Sequence, residues 1–283
     1  LVEMVLKALD LDISEELVQK IIKNGTEFNA LLTSQQLVAG PANGEGVFGV
    51  SMVLGVTDAE KAKALIPEQA DLMTQVVQSL GRQHQEQELE SLKFNYVKNA
   101  ETINNNMVDV IDVTYDTLKT QGDDQNEEMK KILGEDKIRI RIAQVDPKTL
   151  VVTFGGGKSF MVAAIDAARK GGTVNKDPNV LKTLAKLPPN PIGSLVFSPQ
   201  NLFSAIQTGM AIMGEKSNLP EDFKFKCPEP IGIGWGLAGE SAVKGSVYVP
   251  IGVVIDIVDW VKAEMSATMA AFEPVEEEEE AEV

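Results

Sequence analysis

Between Ile138 and Ala143 the chain alternates isoleucine with arginine or alanine, the two-residue period of a strand with different faces. Asp146-Pro147-Lys148 then supplies turn chemistry, and "TLVVTF" resumes the β-branched pattern, so "KIRIRIAQVDPKTLVVTF" predicts an antiparallel hairpin. A second hairpin is predicted in "LKFNYVKNAETINNNMVDVIDVTY", where two alternating runs flank an Asn-rich connection. "GVFGVSMVLGV" reads as a buried strand ending at Val56. Helical spacing governs the rest. Val5, Leu6 and Leu9, then Leu17, Val18, Ile21 and Ile22, predict two short helices over residues 1–32, the second capped by Ser14. Thr57 with Glu60 has capping-box spacing, and Pro67 divides the next helical stretch into two helices, over residues 58–65 and 67–80. A charged helix is expected from Asn126 to Leu133, and Gln83 to Glu90 is polar enough to be a loop or an exposed helix end. A final helix over 251–272 carries Val254, Ile255, Val258, Val261 and Met265 on one stripe, the expected core face.

Four segments share one plan, an aliphatic strand, a tight turn and a helix: "GVSMVLGVTDAEKAKAL", "TLVVTFGGGKSFMVAAI", "GSLVFSPQNLFSAI" and "GSVYVPIGVVIDIV". The fold class they predict is α+β, with mixed, largely antiparallel sheets packed with helices and two related halves built from these units. Gly171-Gly172 and the proline-dense "LPPNPIG" separate the halves. The organisation expected is N-terminal helices over 1–45, a first half over 46–172, a second over 173–272 and an acidic tail over 273–283. Five consecutive glutamates make that tail a disordered segment by composition.

Charge narrows the function. The formal net charge is −16, and seven glutamates lie in the last eleven residues. The remaining chain holds 35 acidic against 26 basic residues, so a phosphate backbone would be repelled and nucleic acid is excluded as a partner. No apolar run reaches the length of a membrane span. A single cysteine, Cys227, excludes an internal disulfide framework, and a single histidine, His84, leaves triads and HExxH zinc sites without their parts. Lys224 and Lys226 flank Cys227 closely enough to activate a thiol, but no base accompanies it, so a half-buried structural cysteine is expected. The start at Leu1 suggests that a preceding segment was removed.

The candidate chemistry is sparse. Gly155, Gly156, Gly157, Lys158 and Ser159 run from a strand into a helix like a phosphate loop. A Walker-type loop also needs glycine at the place Val152 occupies, and its strand belongs to a parallel sheet, whereas this one is the second arm of a hairpin. The reading preferred is a turn that requires positive φ, with no phosphate bound and no cofactor. Asp109, Asp112 and Asp116 offer oxygen ligands to a cation, but Asp109 and Asp112 fall on opposite faces of a strand, so no metal is assigned. Glu127-Glu128 and Glu135-Asp136 read as charged surface, and Asn24-Gly25-Thr26 matches the glycosylation pattern at the frequency chance allows. Glycines in "GIGWGLAG", Gly232 to Gly239, permit close approach of a flat ligand or of a packing helix, and the helix is preferred.

The segments "LPPNPIGSLVFSPQNLFSAI" and "VKGSVYVPIGVVIDIV" resemble a group of uncharacterised exported bacterial proteins that carry a proline-rich phrase before a strand and short helix and close on a strand and helix. The resemblance covers about the second half. It implies an extracytoplasmic α+β protein without catalytic residues. The function expected is a non-enzymatic structural or interaction protein that assembles with itself or with a cell-envelope component. The alternatives are a phosphate-ligand enzyme at Gly155–Ser159 and a soluble small-molecule carrier beside Gly232–Gly239.

Overall fold

The computed structural model describes residues 13–40, 45–46, 48–114, 130–135, 137–171, 176–189, 193–212, 223–237 and 242–270. The chain forms two compact units, residues 1–173 with 208–216 and residues 174–207 with 217–283. The fold is α+β, and every strand ladder among the described residues is antiparallel.

The first unit opens with α1 (Glu15–Leu31), capped by Ser14, whose hydroxyl accepts the Leu17 amide at 3.2 Å. The first of the two N-terminal helices expected lies outside the described residues, and α1 runs unbroken through Asn24-Gly25. Strands β1 (Leu32–Gly40), β2 (Gly49–Val56), β3 (Lys93–Ile103), β4 (Asn106–Thr114), β5 (Ile138–Asp146) and β6 (Thr149–Gly155) form one sheet in the order β1-β2-β6-β5-β4-β3. Both hairpins stand where the alternation places them. The β3–β4 turn is Asn104-Asn105, both at positive φ, the primed-turn geometry that asparagine tolerates. At the β5–β6 turn the Asp146 carboxylate accepts the Lys148 amide at 2.7 Å. β1 went unassigned in the periodicity because "LTSQQLVAG" is polar and mostly exposed, as an outermost strand can be.

Between β2 and β3 lie α2 (Ala59–Ala64), α3 (Ile66–His84) and α4 (Gln87–Ser91). Pro67 begins α3 in its first turn, so the break falls where the proline puts it. The cap of α2 is Asp58 rather than Thr57: the Asp58 carboxylate accepts the Lys61 amide at 3.1 Å. After β6 comes α5 (Gly157–Lys170). Helices cover both faces of the sheet. On one, Val108, Ala143 and Val151 bury against Met161, Ala164 and Ile165 of α5. On the other, Leu54, Val56 and Leu150 pack with Ala59 and Ala62 of α2, and Ile111 and Ile142 with Ile66 and Ala70 of α3. A sheet covered twice leaves its polar strand positions in the interior, and Arg141 is consequently only 2% exposed.

The second unit holds α6 (Pro178–Leu184), β7 (Gly193–Phe197), α7 (Pro199–Ile212) up to Gln207, β8 (Ile231–Leu237), β9 (Val243–Tyr248) and α8 (Ile251–Ala270). All four strand-turn-helix segments are present, as β2–α2, β6–α5, β7–α7 and β9–α8. Their strand pairing differs in detail. In the first unit β2 pairs with β6, the second arm of its hairpin; in the second, β7 pairs with β8, the first arm. α1 and β1 belong with the first unit, Phe28 and Leu31 packing on its core. The acidic tail and the start of the charged helix before Lys130 lie outside the described residues.

Candidate functional site

At the glycine loop all three residues hold positive φ, 68°, 70° and 61° at Gly155, Gly156 and Gly157. Each is also closely packed. A Cβ on Gly155 would lie 2.5 Å from the Phe48 carbonyl oxygen, the Gly156 amide donates to the Leu133 carbonyl at 2.7 Å, and Glu45 sets its carboxylate against the Cα of Gly157. The Ser159 amide donates towards that same carboxylate at 3.5 Å. The mouth of α5 therefore carries the protein's own anion, and a phosphate there would meet a charge of its own sign. Lys158 turns away from it, 3.8 Å from Glu101, with most of its side chain in solvent. Gly157→Ala is accordingly expected to cost at least about 1–2 kcal/mol from the left-handed φ alone, whereas Lys158→Ala should change stability by under about 0.5 kcal/mol. Thermal melts with and without ATP check both. A ligand-dependent rise in Tm that disappears in Lys158→Ala would restore the phosphate loop.

Asp109 and Asp112 do not converge. Asp109 and Asp112 both lie on β4 and face opposite sides of the sheet, and Asp116 is outside the described residues. Asp112 pairs with Arg139, Nε to Oδ1 at 2.6 Å, in a network that joins Arg139 and Arg141 to Glu101, with Glu135 also on Arg141. Burial alone would raise the pKa of Glu101, but the hydrogen bond and charge of Arg141 outweigh it and hold the carboxyl below its ordinary range. Asp112 behaves in the same way, with Arg139 as the partner that outweighs burial.

Asp109 is fully buried and saturated by donors. It accepts the Tyr96 hydroxyl, the Asn99 amide at 2.8 Å and the Lys63 ammonium at 3.0 Å. A bulge in β3 between Val97 and Glu101 puts Asn99 at φ 51°, which aims its amide at the carboxylate. Burial first, and then the hydrogen bond to Asp109 and its charge, push the Tyr96 phenol far up, so it remains a protonated donor. Two shallow clefts of about 340 and 630 Å³ share Lys63 and Gln144 above this cluster. With these donors committed to Asp109, the cluster is an anchor that ties α2 to the β3–β4 hairpin.

Other singled-out residues have plain roles. His84 is exposed at the end of α3. Asn24 is buried, and its amide nitrogen donates to Glu68 at 2.9 Å, so the atom that glycosylation would use is inside the fold. Glu127, Glu128 and Asp136 are outside the described residues. The space beside Gly232 and Gly234 is filled: a Cβ on Gly232 would stand 2.6 Å from the Thr183 methyl of α6, and one on Gly234 3.0 Å from Leu187. That occupied face corrects the carrier pocket placed there, while Gly239 is outside the described residues.

The largest departure from expectation is α8. Its inward face is Gly252, Val253, Asp256 and Trp260. Asp256 is 6% exposed and accepts the Lys226 and Cys227 amides at 2.9 and 2.8 Å. Gly252 leaves room for the Cys227 sulfur, and Trp260 stacks edge-on with Phe203 in an aromatic cluster with Phe223 and Phe225. The expected core stripe points the other way. Val254, Ile255, Val258, Val261 and Met265 are between 41% and 59% exposed, flanked by exposed Ile251 and Ile257. Val247 and Val249 before the helix are exposed as well. An exposed apolar stripe of this extent is uncommon on a protein surface, and of the four inward residues only Val253 is aliphatic.

Comparison with profiles of known protein families, with curated proteins and with solved structures finds no match to this chain.

Proposed function

We propose that this chain is a non-enzymatic structural protein of the extracytoplasmic space that assembles with copies of itself through the outward face of α8. The observation that carries the reading is the apolar stripe itself, five large aliphatic or thioether side chains in solvent on a helix whose other face is already anchored. Covering such residues contributes on the order of 1 kcal/mol or more each, and a second copy brings an equal surface at equal concentration, the basis of an isologous interface. The extracytoplasmic placement rests on the resemblance of the second half to exported proteins. A cell-envelope component is the competing occupant.

Light scattering coupled to size exclusion tests it. The expected mass is at least twice the 30.6 kDa of one chain, falling towards one chain on dilution. A single-chain mass at every concentration the protein tolerates would overturn self-assembly and leave the envelope component to be sought.

A further inference from the structure

The exposed residues of α8 are spaced in heptads. Ile251, Val254, Val258, Val261 and Met265 succeed one another at intervals of three, four, three and four residues, the a and d positions of a helix that pairs with another helix. A flat sheet or an extended peptide would not call for that seam. We infer that two copies of the chain pair their α8 helices antiparallel about a two-fold axis, and this inference rests on the self-assembly proposed above. Antiparallel pairing sets a residues against d residues of the second copy: Val258 meets Val261 and Val254 meets Met265, with Ile251 beyond these pairs. The seam is thus complementary to itself.

Charge chooses the orientation. The seven glutamates of residues 273–283 come directly after α8 in the chain. A parallel pair would bring two such segments out side by side. In an antiparallel pair they leave from opposite ends of a 20-residue helix, about 30 Å apart and well beyond the roughly 8 Å over which salt lets charges interact. The short seam is sufficient because α8 is already held helical by Asp256 and Trp260, so association does not bear the cost of forming the helix.

The test uses the full chain with Val258→Lys, with Val261→Glu and with both substitutions together. Both positions are exposed in the single chain, so circular dichroism should match the parent, as should Tm at concentrations where the parent is dissociated. Each single substitution should weaken self-association on the order of 100-fold. In the double variant the antiparallel register sets each new lysine against a new glutamate, and association should return most of the way. If the double variant stays dissociated, like charges face each other in a parallel pair and the antiparallel assignment is wrong. If the single variants associate as the parent does, the interface lies elsewhere: this inference falls and self-assembly stands. A parent that is a single chain throughout removes both.

Discussion

Arg141→Ala is expected to destabilise the first unit by about 3–5 kcal/mol, a large share of a typical domain's stability. The guanidinium is 2% exposed and bridges Glu101, at 2.7 Å, to Glu135, so its removal leaves two poorly hydrated carboxylates beside each other. Arg139 and Lys158 still reach Glu101, which keeps the loss from being larger. Urea unfolding measures it, and the pH dependence identifies the cause. Glu101 and Asp112 have folded pKa values below their ordinary ones. Their contribution is fully present above the unfolded-state values, near pH 4, and is lost as pH falls through the lower folded values. In Arg141→Ala the acid-side loss should be shallower, because Glu101 no longer gains from its main partner. A variant as stable as the parent, with an unchanged acid limb, would show that Arg139 alone sustains the network.

Asp109→Ala should cost a similar amount, about 3–5 kcal/mol. Here one carboxylate serves three donors, and its loss strands the Lys63 ammonium, the Tyr96 hydroxyl and the Asn99 amide together. Asp109→Asn separates charge from hydrogen bonding. It keeps an acceptor but removes the negative charge, so the Tyr96 phenol should titrate lower than in the parent yet still above a free tyrosine, burial being the larger cause of its shift. Ultraviolet titration of the phenolate reads this directly. An unmoved titration would mean that the Asp109 charge contributes nothing to the Tyr96 shift beyond the hydrogen bond and burial.

Local rules made much of the architecture legible. Ser14 before Glu15-Glu16, Pro67 at a helix start and Asp146-Pro147-Lys148 in a turn act through neighbours within a few residues, and each sits where that chemistry places it. The demand for positive φ in Gly155-Gly156-Gly157 is of the same kind. β1 escaped because an outermost strand needs no apolar pattern, and the different wiring of the two units escaped because strand order is not a local property. At the candidate sites the partners are far apart in the chain. Glu45 reaches Ser159, Glu101 reaches Arg141, and Lys63 reaches Asp109.

The α+β class, the hairpins and the four strand-turn-helix segments were legible in the amino-acid order alone, since period, turn residues and caps are set by contiguous residues. Which faces are inside was settled by long-range packing. Helices on both sides of the first sheet put Arg141 of β5 in the interior. On α8, apolar residues occupy most of the circumference, so hydropathy cannot choose a side. The choice falls to Asp256, whose carboxylate satisfies two backbone amides, and to Trp260 among three phenylalanines. These contacts outweigh the apolar stripe because a partnered buried carboxylate and packed aromatic rings fit one geometry, whereas burial of aliphatic surface is non-directional and can be met equally by another molecule.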